Sequence, residues 1–258
     1  MALSLLDWYN RFKQQARWTQ DLRRYLYERA GLSAGQRLLD VGCGTGALLP
    51  ELLAQTKGAR SGSVHGLDID WQRLSMAAGY VSQVHFLVGD AHYLPYAAGS
   101  FDLSLCHFLL LWVAGPQTVV AEMRRVTRAG GAVLILAEPD YGGRIDYPFE
   151  LSKLGEWQQS ALRRQGADPL IGRQLAEFMS TAGLHHVEVG VLGGQWDLHP
   201  SNTEQISESM VLRSDLADIV PGEDLDKLLT LDEDAHARGE RILYVPTFYA
   251  WGRVPDLA

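Results

Sequence analysis

Apolar positions recur at two different periods along this chain. Leu5, Trp8, Tyr9 and Phe12 fall at helical spacing, and Leu22, Tyr25 and Leu26 repeat that spacing after Thr19. Two helices are therefore predicted within residues 1–33. Short apolar runs follow at 37–41, 63–68, 84–88, 101–107 and 132–138, and these read as buried strands. Between them, Leu48, Leu49, Leu52 and Leu53 mark one helix. Val119, Val120, Met123 and Val126 mark another, with Arg124, Arg125 and Arg128 on its far side. Strands alternating with helices predict an α/β domain whose parallel sheet is covered on both faces.

The pattern changes after Glu138. Residues 146–183 read as two helices broken near Gly166-Ala167-Asp168-Pro169, and 185–192 and 242–254 read as strands. Between those strands, Ser201-x-x-Glu204 has the form of a capping box, and Pro221-Gly222 precedes a second helix bearing Leu225, Leu228 and Leu229. No linker rich in Pro, Gly or Ser divides the chain. One domain over 1–258 is expected, with front helices 1–33, a ligand-binding core 34–145, a helical insertion 146–183, and a last part 184–258 that carries a second helical insertion at 201–240.

Composition bounds the class. With 258 residues, 47% hydrophobic and 21% charged, the chain supports a real core and is not disordered. Its 23 basic and 31 acidic residues give −8. That balance argues against nucleic acid and anionic membranes, which reward basic surface. Residues 204–240 alone hold eleven acidic and three basic side chains, so the whole excess sits in the second insertion, expected as a solvated face. The remainder is neutral, which weakens the argument, and Arg11, Lys13, Arg17, Arg23, Arg24 and Arg29 make the front helices locally basic. Two cysteines are too few for a disulfide framework. The start lacks a basic n-region, and the apolar run at 103–114 is shorter than the roughly 20 residues a membrane span needs. A cytoplasmic protein with reduced thiols and no membrane insertion is expected.

The chemistry concentrates in Leu38-Leu39-Asp40-Val41-Gly42-Cys43-Gly44-Thr45-Gly46. An apolar strand runs into alternating glycines and then a helix, which lets a ligand approach backbone N–H groups closely. Gly42-x-Gly44-x-x-Ala47 also fits a dinucleotide fingerprint, so a nicotinamide-dependent oxidoreductase is one alternative. Against it stand Gly46, Asp40 on the strand, Asp68 ending the second strand, and Asp90 in Val88-Gly89-Asp90-Ala91 after the third.

These motifs, with Gly66–Asp70, 101–113 and 124–138 in order, resemble the class I S-adenosylmethionine-dependent methyltransferases, most closely the small-molecule, ubiquinone/menaquinone-biosynthesis-like branch. The resemblance covers about residues 36–140 well. It implies a Rossmann-like, mostly parallel seven-stranded sheet with an antiparallel last strand, helices on both faces, and insertions forming a lid. It also implies S-adenosyl-L-methionine as cofactor, S-adenosyl-L-homocysteine as product, and a small-molecule acceptor. Gly42, Cys43, Gly44 and Gly46 would approach the methionine part, and Asp40 its amino group. Asp68 would accept from both ribose hydroxyls, Ile69 would pack on adenine, and Asp90 and Ala91 would bind the adenine edge. The Cys106 carbonyl would receive the ammonium.

Other residues remain open. His107, at the ligand end of the fourth strand, is a candidate base because imidazole titrates near neutrality, or a satisfied core residue. Tyr141 either faces the acceptor or packs a turn. Arg17 either closes over the cofactor's carboxylate or is solvated. The aromatics of the front helix, Trp157 and Trp196 line an acceptor pocket or form packing surface. Cys43 and Cys106 approach each other or are two buried free thiols. Asp102 is assigned a structural role, and His185, His186 and His199 have no metal-site spacing. A non-catalytic binding protein on the same fold is a further alternative. The acceptor's identity, the methylated atom and the oligomeric state are not encoded in any motif.

Overall fold

The computed structural model describes residues 3–56, 63–193, 202–217 and 219–256. Ser201, Trp196 and His199 lie outside them. The first helix, α1 (Leu5–Trp18), opens on a capping box: Ser4 Oγ accepts the Asp7 N–H, and Asp7 Oδ2 accepts the Ser4 N–H at 2.8 Å. Next come α2 (Gln20–Ala30), β1 (Leu38–Val41), α3 (Leu49–Gln55), β2 (Val64–Asp68), α4 (Trp71–Ala78), β3 (Val84–Val88), β4 (Phe101–Cys106), α5 (Pro116–Val126) and β5 (Thr127–Pro139). The later elements are β6 (Ile145–Tyr147), α6 (Ser152–Arg164), α7 (Leu175–Thr181), β7 (His185–Val191), α8 (Asn202–Leu216), α9 (Gly222–Ala237), β8 (Ile242–Tyr244) and β9 (Thr247–Arg253).

The main sheet has seven strands in the order β3-β2-β1-β4-β5-β9-β7, and β9 alone runs antiparallel. The fold is α/β and Rossmann-like. Its central strands are apolar runs because both faces are covered: β1 is buried throughout, and Ala132–Pro139 of β5 likewise. One core lies against α5 and α7, with Val119, Val120, Met123 and Phe178 fully buried, and the other against α2 and α3, with Leu26, Leu49 and Leu52. The order reverses between β1 and β4, which opens a crevice at their carboxyl ends.

A third, smaller core joins α6, α8 and α9 through Leu154, Ala161, Leu212, Leu216, Leu225 and Leu229. Trp157 packs against this cluster. The predicted strand 242–254 is in fact two, broken at Val245-Pro246 where proline has no N–H to donate. Its first part pairs with β6, an element the hydrophobic pattern does not predict. In β6 the apolar Ile145 and Tyr147 are exposed, and Asp146 is buried instead, held by Arg144 at 2.7 Å and Arg241 at 2.8 Å.

Candidate active site

The glycine turn is stitched to β2. Gly42 and Cys43 N–H groups donate to the Leu67 carbonyl at 2.7 and 3.0 Å, and the Gly44 N–H donates to Asp68 Oδ2 at 2.8 Å. Gly42 and Gly44 have φ of 72° and 55°, which glycine adopts without strain. A Cβ on Gly42 would lie 2.6 Å from Leu109 Cδ1, and one on Gly44 3.2 Å from Phe12, so the turn is a close-fitting cradle. Gly46 serves packing instead: its Cβ would meet Leu49 and Ala77. The helix beyond starts only at Leu49, later than the sequence suggests.

Beside this turn lies a cavity of about 390 Å³ at the carboxyl ends of the strands. The structure brings Asp40, Gly42, Cys43, Gly44, Asp68, Ile69, Asp90, Ala91, His107 and Tyr141 to its walls. Three predicted residues are not there. Gly46 is behind the turn, Cys106 is fully buried within β4, and Arg17 is largely exposed and paired with Glu204 at 3.5 Å. Arg17 faces α8 because it projects from the last turn of α1, away from the crevice side held by Trp8 and Phe12. Both cysteines are free, and burial pushes their thiols well up.

Asp68 is 7% exposed, and each of its oxygens already accepts one N–H: Oδ2 from Gly44 and Oδ1 from Asp70 at 2.9 Å. A carboxylate offers about four lone-pair sites, so capacity remains for two hydroxyls. Asp40 is buried, and desolvation, reinforced by Asp68 and opposed by Arg23, pushes its carboxyl up to about 8. Asp90 is half-exposed. Its Oδ1 accepts the His92 N–H at 2.9 Å and meets His92 Nδ1 at 2.6 Å, so Oδ2 takes neither bond.

His107 corrects an expectation. Its Nε2 meets Thr19 Oγ1 at 2.9 Å, and Thr19 Oγ1 also accepts from Arg23 Nη1 at 2.5 Å. Burial and the Arg23 charge lower its pKa to about 3, far from the neutral range that suggested a base. Tyr141 starts a short turn capped by Asp140, and its N–H donates to the Pro169 carbonyl at 2.8 Å. Burial pushes its phenol up to about 12, so it is a neutral donor.

The sequence reading missed several wall residues. His92 bridges Asp90 to the Ala114 carbonyl. Arg11, Gln158 and Asp215 reach the cavity from α1, α6 and α8. Arg11 is buried, donates to Glu208 Oε2 at 2.6 Å and stacks over Trp18 at 4.8 Å. Glu138, fully buried, accepts the N–H groups of Leu109, Leu110 and Leu111 at 2.8–3.2 Å and fixes the segment after β4. The acidic insertion is thus not only a solvated face. Its α8 closes over the cavity and pairs with α1.

Comparison with known proteins agrees with this geometry. Residues 39–135 match the family model of a methyltransferase domain. The chain is 36% identical over 200 residues to demethylmenaquinone methyltransferase of Bacillus velezensis, covering 69% of this chain and 81% of that one. It is 35% identical over 154 residues to a 37.1 kDa protein of transposon TN4556 from Streptomyces fradiae, covering 58% of this chain but 43% of that one. The fold superposes on Haemonchus contortus phosphoethanolamine N-methyltransferase 2 in complex with S-adenosyl-L-methionine, with a TM-score of 0.58 at 17% identity over 92% of this chain and 53% of that one. The tight glycine cradle and the acceptor carboxylates of Asp68 and Asp90 suit a cationic adenosyl ligand. Sequence, sheet order and cavity converge: the chain belongs to the class I S-adenosylmethionine-dependent methyltransferases.

Proposed function

We propose that this enzyme methylates a small molecule that enters between α1 and the α6/α8 layer. The observation that carries this reading is a cavity lined both by the glycine turn with Asp40, Asp68 and Asp90 and by Tyr141, Gln158 and Asp215. S-adenosylmethionine supplies, when bound, a methyl group on a sulfonium, whose leaving group is a neutral thioether.

The chain's own residues bind, orient and exclude water. Asp68 would accept both ribose hydroxyls while holding the Gly44 amide. Asp40 would take the amino group, and Gly42–Gly44 would admit the methionine backbone. Asp90, held in place by His92, would accept from the adenine amino group, with the Ala91 N–H donating beside it, and Ile69 would lie on the ring. Positioning of this kind lowers a barrier by about 7–11 kcal/mol at best, so no universal catalytic residue is required. Phe12, Trp8 and Leu109 would keep water from the cofactor side.

A small acceptor also fits the surface. The basic front helices offer little free charge: Arg11, Arg17, Arg23, Arg24 and Arg29 pair with Glu208, Glu204, Glu51, Asp21 and Glu188. Among the described residues, no helix is long and apolar enough to cross a membrane. We place the enzyme in the cytoplasm, as a single catalytic unit over 1–258. Isothermal calorimetry tests the cofactor side. S-adenosylhomocysteine should bind the folded protein in the micromolar range, and no heat with intact protein would refute the assignment.

A further inference from the structure

The inward stripe of α8 carries three carboxylates and one valine, at Glu204, Glu208, Val211 and Asp215. This i, i+4, i+7, i+11 spacing places them on one helix face. Two of the carboxylates meet arginines of α1: Glu204 with Arg17 at 3.5 Å and Glu208 with Arg11 at 2.6 Å. The third does not. Asp215 makes no ion pair among the described residues, and it stands in the cavity wall beside Val211, Leu162 and Tyr141.

Its partners are two neutral amides, Gln158 of α6 and Gln165 just after it. Gln165 Nε2 donates to Asp215 Oδ1 at 3.2 Å, and Gln158 acts on the same carboxylate. Gln158 is 3% exposed, and its amide has only one usable orientation. Arg144 Nη1 donates to its Oε1 at 2.7 Å, so its Nε2 is left as the donor toward the cavity. Arg144 is itself locked by Asp146, which also holds Arg241. A carboxylate acceptor and an amide donor are thus presented together in the cavity wall, on rigid supports.

We propose that Asp215 is the acceptor-binding carboxylate of this methyltransferase, and that the acceptor is a small molecule with a phenolic or enolic hydroxyl methylated at oxygen. This rests on the methyltransferase reading above. The hydroxyl donates to Asp215 and accepts from Gln158 Nε2. As the oxygen's electron pair bonds to the methyl carbon, the hydroxyl proton passes to the Asp215 carboxylate, and the electron pair of the broken methyl–sulfur bond stays on sulfur. Sulfonium, carboxylate and hydroxyl become thioether, carboxylic acid and ether, so charge balances. An amine acceptor fits less well, because a carboxylate holds an ammonium in its protonated, unreactive form. Burial raises the Asp215 pKa on balance, against the Gln165 and Gln158 amides and Arg11, with Glu208 reinforcing it.

The test uses the complex with S-adenosylhomocysteine and 4-nitrophenol as probe, since its absorbance reports its protonation. The wild-type complex should bind the neutral phenol saturably and lose affinity as pH rises through the probe's own ionisation, because the phenolate meets a carboxylate. Asp215→Asn should bind S-adenosylhomocysteine normally, bind the phenol at least tenfold more weakly, and lose much of that pH discrimination. Gln158→Leu should weaken the phenol alone. Equal affinity and an equal pH profile in Asp215→Asn overturn the proposal, as does a wild-type complex that never saturates with the probe. Failure to bind S-adenosylhomocysteine strikes the methyltransferase reading instead.

Discussion

Asp68→Asn separates two roles that one buried carboxylate combines. In the native protein, the Gly44 and Asp70 N–H groups donate to its two oxygens at 2.8 and 2.9 Å. Asparagine keeps one acceptor oxygen and turns an NH₂ on the other amide. One bond falls from about 1.5–3 to about 0.5–1.5 kcal/mol, and the other N–H faces a donor at a cost of about 1–3 kcal/mol. A net destabilisation of about 1–3 kcal/mol is expected from these terms. Ligand binding is affected separately. Losing charged acceptance of ribose hydroxyls removes about 1.5–3 kcal/mol, or roughly 10–150-fold in affinity. Urea denaturation reads the first effect, and calorimetry with S-adenosylhomocysteine the second. A less stable variant whose affinity changes by under about threefold would refute the ribose role and leave Asp68 as a loop clasp only.

Other outcomes follow from the same geometry. Asp40 holds its proton in the folded state up to about pH 8 but loses it near 4 when unfolded, so it makes stability fall as pH rises through that window. Asp40→Asn should therefore gain urea resistance relative to wild type at pH 9 compared with pH 5, and parallel curves would contradict this. His107, lowered to about 3, should show no imidazole titration by NMR between pH 8 and 5. It should also weaken the fold as pH falls from 6.5 toward 3, where the unfolded chain takes the proton first. Breaking Arg11–Glu208 and Arg17–Glu204 in double-mutant cycles should give about 1–3 kcal/mol of coupling for the first and under about 1 for the second. The Arg11 side chain is 8% exposed and the Arg17 side chain 59%, and equal couplings would sink the burial argument.

Local signals decide what can be read from the chain alone. The run from Leu38 to Gly46 announces a buried strand and a glycine turn because both are set by neighbours a few residues away. Asp68 and Asp90 follow strands in the same local way, so the sheet, its central strands and much of the cavity wall beside the glycine turn are legible in order. What the sequence does not carry is pairing across the fold. Arg11 and Glu208 are 197 residues apart, and nothing local tells Arg11 from Arg17, though one is buried at the cavity and the other exposed. His107 has the right strand position for a base, yet its surroundings come from afar: it meets Thr19, 88 residues away, and burial with the Arg23 charge lowers its pKa to about 3. Asp215 reads as one more charge in an acidic insertion. Only packing of α8 against α1 and α6 gives two of its stripe's carboxylates arginine partners and leaves the third facing the cavity. A side chain's titration and partners depend on the solvent and charges brought near it in space, which the order of residues leaves unspecified.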